Sequence, residues 1–124
     1  MTDLEVVGAS PTGREARLQR AIVGLAEEPP TAEEAKRRPA RQGFAENLVF
    51  EFDDAYTAFV EGFETLPSEE QLLALQAVDT HVSKMVRAKD AELWTERARR
   101  EDPPWVEVRA LAAHVLRVFE WTMH

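Results

Sequence analysis

The sequence predicts an all-α protein, a single-domain bundle or orthogonal array of about five helices with a short unassigned N-terminal arm. Three observations predict it. Apolar residues recur at three- and four-residue spacing along most of the chain, capping residues and prolines stand where those stripes begin, and the connections between stripes are short. The 124 residues are 44% hydrophobic and 31% charged, a globular balance in the size range of one domain. Residues 1–124 are therefore expected to form one helical unit with no interdomain linker.

Residues 1–9 form the arm, in which Leu4 to Val7 is a short apolar run of unassigned conformation. Ser10 and Pro11 are a suitable helix start. Leu18, Ala21, Ile22 and Leu25 follow at helical spacing until Pro29 and Pro30 force an end. Thr31 and Glu34 match a capping box, with Glu33 to Arg37 and Glu34 to Arg38 as expected i,i+4 pairs before Pro39.

From Ala45 to Thr65 the stripe Leu48, Phe52, Ala55, Tyr56, Phe59, Phe63 and Leu66 predicts a helix with an aromatic core face. The run Leu48 to Phe52, taken alone, fits a strand equally well. Ser68 and Gln71 form a second capping box. Leu72, Leu75, Val78, Val82, Met85 and Val86 then carry a helix to about Ala88. Asp79 falls inside that apolar arc and is expected to be hydrogen-bonded or paired with an arginine, because an unpaired buried charge is costly.

Asp90 caps a shorter segment in which Ala91, Trp94 and Ala98 share a face and Glu96 pairs with Arg100. Asp102 as N-cap and Pro103 as first helical residue open the last helix. Its inward residues are Trp105, Val108, Leu111, Ala112, Val115, Leu116, Phe119 and Met123.

The net charge of −8 is not spread evenly. Between Gln42 and Ser83 there are nine acids and no lysine or arginine, whereas the flanking stretches are nearly balanced. Such a balance argues against nucleic acid or anionic lipid as the main ligand, since both require a basic footprint. A basic protein partner is its natural complement.

No cysteine is present, which excludes a disulfide framework and thiolate chemistry and suits the cytoplasm. No secretory leader pattern and no apolar run of membrane-spanning length is visible. His81, His114 and His124 form no ligand-spaced pair. Ser10, Ser68 and Ser83 lie in no nucleophile elbow, and phosphate loops and dinucleotide fingerprints are missing. No catalytic residue, metal site or cofactor is expected. Carboxylates at i,i+3, Glu51 with Asp54 or Glu61 with Glu64, are the only basis for a metal-protein or enzyme alternative.

At about 100° per residue, Glu46, Asp53, Asp54, Thr57, Glu61 and Glu64 share the helix face opposite Phe52, Phe59 and Phe63, with Phe50 among them. This face is the expected partner-binding site, with Phe50 as its anchor if burial elsewhere does not claim the ring. Glu61 and Glu64 crowd the C-terminal end of the predicted helix, where negative charge is unfavourable by about 0.3–1 kcal/mol each. His114 and Trp121, at i,i+7, form a second possible interface, which would serve a homodimer. The expected function is a non-enzymatic, cytoplasmic binding module that masks a basic partner, as an immunity protein or antitoxin does. A homo-oligomeric structural or regulatory protein is the alternative.

Overall fold

The computed structural model describes residues 13–63 and 65–121. The N-terminal arm, the Ser10–Pro11 helix start, Glu64, Met123 and His124 lie outside the described residues. Helices α1 (Arg14–Ala26), α2 (Ala32–Arg37), α3 (Phe44–Glu61), α4 (Glu69–Arg87), α5 (Glu96–Glu101) and α6 (Pro103–Phe119) follow in order, with a 3-10 turn at Ala91–Trp94 before α5. The described residues contain no strand. The Leu48–Phe52 run is helical, as its place in the longer stripe requires.

Both capping boxes form. Thr31 accepts from the Glu34 amide while Glu34 accepts from the Thr31 amide, and Ser68 and Gln71 do the same. With its carboxylate turned back to the cap, Glu34 makes no ion pair with Arg38, and no Glu33–Arg37 pair forms either. Gly43 opens α3 in the left-handed region at φ 79°, a conformation that glycine enters without steric cost.

The four long helices form an up-down-up-down bundle. Gly24 of α1 faces Leu48 of α3, and Arg14 at the start of α1 lies against Gly62 at the end of α3, so these helices run antiparallel. Helix α4 is antiparallel to α6. The Gln71 side chain donates through Nε2 to the Val118 carbonyl at one end, and His81 Nε2 meets the Pro104 carbonyl, 2.8 Å away, at the other. Because a carbonyl only accepts, His81 carries its proton on Nε2 there.

Helix α1 packs on α3 and α6, and α6 packs on α1, α4 and α5. One continuous core runs between them, with Leu18, Ile22, Phe52, Phe59, Leu75, Val78, Trp105, Val108 and Val115 buried. The fourth seam, between α3 and α4, is not closely packed. That asymmetry determines what the surface offers.

Several expected core positions are corrected. Helix α3 stops at Glu61, where Gly62 adopts an extended conformation. Phe63 and Leu66 therefore leave the stripe and are exposed, Leu66 to 79%. Val86 is 46% exposed because α4 overhangs the open seam. The segment after Asp90 is not one helix. Thr95 takes over as N-cap and resets the register, so Leu93 is buried in place of Ala91, and Glu96 pairs with Arg99 at 3.0 Å instead of with Arg100. Asp102 does precede Pro103 at the start of α6, but its carboxylate faces Arg97 and caps no amide.

Candidate protein-interaction site

The exposed side of α3 is built by exclusion. Ala45, Val49, Phe52, Ala55 and Phe59 turn to the core, and the 3.6-residue period leaves Phe50, Asp53, Asp54, Thr57 and Glu61 facing solvent. Glu46 is half-buried on the same side. Phe50 is 59% exposed, so no neighbouring described element claims the ring. Neither α4 nor the described N-terminal residues reach far enough around α3 to cover the ring. Helix α3 contains no lysine or arginine.

The C-terminal end of α3 is less strained than its own sequence implies. A Cβ built on Gly62 would lie 2.7 Å from Nη1 of Arg14, so a guanidinium from α1 stands at the helix end where Glu61 sits. Arg14 makes no ion pair with Glu61 among the described residues, so it offsets the negative charge there only through its nearby field.

Beside the acidic face lies the open α3–α4 seam, a cleft of about 270 Å³ lined by Val49, Phe50, Asp53, Val82, Ser83, Val86 and Arg87. Val49 and Val82 are buried and make its floor. Phe50 and Val86 form an apolar rim, one from each helix. Farther along, Tyr56 stacks on Phe52 at 5.5 Å and faces Asp79.

Asp79 was expected to be paired, and it makes no hydrogen bond or ion pair among the described residues. It avoids the full cost of burial by standing at the edge of the α4 arc, half-exposed to the seam. Partial burial, and secondarily the Asp53 carboxylate across the seam, push the Asp79 carboxyl above the usual carboxylate range. Burial, followed by the Asp79 charge, raises the Tyr56 hydroxyl. The charges of Asp53 and Asp79 thus reach one another, and that of Asp79 reaches the Tyr56 phenol, while Arg87 is the one base among the residues that line the cleft.

The second candidate surface divides. His114 is exposed on α6, 3.5 Å from an Arg117 nitrogen, in a shallow cleft with Leu73, Ala74 and Ala77 of α4. Trp121 does not share its helical face, because α6 ends at Phe119 and Glu120 turns left-handed. Trp121 instead stacks on Phe119 at 4.2 Å. Phe119 meets Phe59 edge-on, and Phe59 meets Phe63 the same way, so this indole belongs to an aromatic chain at one end of the bundle.

The sequence assigned none of Val86, Asp79 and Arg87 to a binding site, reading Val86 as core and Asp79 as a structural carboxylate. One signal for them existed. A carboxylate inside an apolar arc marks the margin of that arc, where cover by a neighbour runs out.

Among the described residues no three potential ligands cluster to hold a metal ion, and no helix is long and apolar enough to cross a membrane. Comparison with family models, curated proteins and solved structures returns no match.

Proposed function

We propose that the protein is a non-enzymatic binding module whose acidic α3 face masks a basic protein, in the manner of an immunity protein or antitoxin. One observation carries this reading: Phe50 stands 59% exposed among Asp53, Asp54, Thr57 and Glu61 on a helix without a single base. Interface energy concentrates in a central aromatic ringed by polar groups, and the surrounding charge steers a cationic partner toward it. The cytoplasm, where a cysteine-free chain loses nothing to reducing conditions, is the compartment this reading assigns.

The test is capture of a cationic protein from a lysate of the source organism, followed by reconstitution of the purified pair. Binding should weaken as salt rises to ~0.5 M and vanish on combined reversal of Asp53, Asp54 and Glu61 to lysine. A pair indifferent to those changes refutes the proposal. A second reading, self-association, is favoured by Leu73, 56% exposed beside His114. A strict monomer in light scattering removes it.

A further inference from the structure

Helices α4 and α6 share an outer face whose charges are divided between them by sign. Their antiparallel register is pinned by the Gln71 side chain on the Val118 carbonyl and by His81 on the Pro104 carbonyl, which sets the start of α4 beside the end of α6. At that end a shallow cleft is lined by Glu69, Glu70, Leu73, Ala74 and Ala77 of α4 and by His114 of α6. A guanidinium nitrogen of Arg117 lies 3.5 Å from Nδ1 of His114, so the α6 side of the cleft carries a cation where the α4 side carries acids. Leu73 projects from the α4 side, 56% exposed. None of Glu69, Glu70 and Arg117 makes an ion pair among the described residues.

We propose that this face seats a second copy of the chain, related by a two-fold axis that lies between α4 and α6 and runs parallel to them. The proposal rests on the self-association reading and adds which face is used and which side chains meet. A two-fold interface applies one patch to itself. A patch of a single sign therefore repels its own copy, whereas a patch with acids on one side of a line and a cation on the other becomes its own complement when turned about that line. The axis lays α4 of each copy on α6 of the other without shifting positions along the helices. Glu69 and Glu70 then meet the partner's Arg117, and the same contact recurs on the far side of the axis. Leu73 of each copy turns into the cleft of the other, over the partner's His114, where the small side chains of the α4 wall leave it room. The charge of the chain selects the occupant. At a net charge of −8, a second copy is repelled by the base-free α3 face and is admitted where its acids find a cation. A basic protein has the opposite preference.

Sedimentation velocity of the full chain over a concentration series reads the association, for the wild type, for Glu70→Lys and Arg117→Glu alone, and for an equimolar mixture of the two variants. The wild type should form dimers. Each single variant should weaken them about tenfold, because either substitution sets like charges against each other at both symmetric contacts. In the mixed dimer one contact joins the Glu70→Lys chain to the Arg117→Glu chain with the signs exchanged, and the other keeps the original pair. Affinity should therefore return to within about threefold of wild type. Leu73→Ala should weaken the dimer about fivefold. All three positions are exposed, and an unchanged circular dichroism spectrum verifies the fold of each variant.

A wild type that stays monomeric at the highest concentration overturns the self-association reading and the two-fold arrangement with it. A dimer that tolerates both single variants, or whose variants fail to recover on mixing, overturns the arrangement alone, since the copies then meet by another face or another operation. Neither outcome touches the capture experiment on the α3 face, which decides the binding-module reading separately.

Discussion

Trp105 donates its indole Nε1–H to the carbonyl oxygen of Leu93 at 2.8 Å, tying the 3-10 turn to the first turn of α6. Trp94 completes the contact by meeting Trp105 edge-on, with ring centroids 5.8 Å apart. Arg109 joins from the next turns of α6 by donating to the Arg99 and Arg100 carbonyls near the end of α5. The first two turns of α6 thus anchor the segment from Ala91 to Glu101. Trp105→Phe would remove the donor, leave the buried Leu93 carbonyl unsatisfied and open a cavity. It should cost about 2–4 kcal/mol, measured by urea unfolding.

Tyr56 is the only tyrosine of the chain, so its ionisation can be read by ultraviolet absorbance without interference from another phenol. The wild type should titrate above the ordinary tyrosine value, because burial and the Asp79 charge both oppose the phenolate. Asp79→Asn should move the midpoint down while leaving part of the elevation, since burial is the larger cause. An unchanged midpoint would show that the Asp79 charge does not reach Tyr56.

Asp79 also makes stability depend on pH. Its carboxyl is raised in the folded state, so the folded chain holds that proton to higher pH than the unfolded chain does. The contribution is fully present below the unfolded value and is lost as pH rises through the folded one. Asp79→Asn should therefore melt higher than wild type at pH 7, and the gap should narrow as pH falls through the carboxylate range. Differential scanning calorimetry across that interval checks the sign.

Much of this was legible in the sequence, for reasons that differ between elements. The Ser68–Gln71 and Thr31–Glu34 caps and the Asp102–Pro103 start of α6 are local chemistry, decided within one turn. The ends of elements depend on distant partners. Within Ala45 to Thr65 only Gly62 hints that α3 stops at Glu61, and the apolar spacing that continues through Phe63 and Leu66 masks it. Exposure of Phe50 was unreadable for the same reason, because it depends on how far α4 reaches around α3. The acidic face itself was readable, being set by period alone. The seam beside it depends on packing between helices and left only Asp79 as a trace.

Gly43 permits another test. Its φ of 79° places an L side chain in the left-handed region, and no atom lies within 4 Å of a Cβ built there. The penalty of Gly43→Ala is thus conformational and not steric crowding, about 1–2 kcal/mol. Gly43→Asn should recover part of it, because asparagine tolerates that region better. Equal stability of all three variants in urea would contradict the turn.

Ser68→Ala should cost about 1 kcal/mol by uncapping α4. The Gln71 amide loses its acceptor, while the Gln71 side chain keeps its bond to the Val118 carbonyl. Since that bond still fixes the start of α4 to the end of α6, the loss should appear as fraying in amide exchange at Glu69 to Gln71 and not as detachment of the helix.

The unequal packing of the four long helices divides the bundle's cooperativity. Helices α1 and α6 are each gripped on two flanks, whereas α3 is held chiefly by α1, and α4 chiefly by α6. The molecule is in effect two hairpins, α1 with α3 and α4 with α6, whose strongest shared hinge line is the α1–α6 contact. Subglobal opening has its easiest route there, as α3 or α4 lifts from its single support while the inner pair stays closed. A ligand that bridges the outer pair would close the ring and make the two hairpins exchange their amide protons as one body.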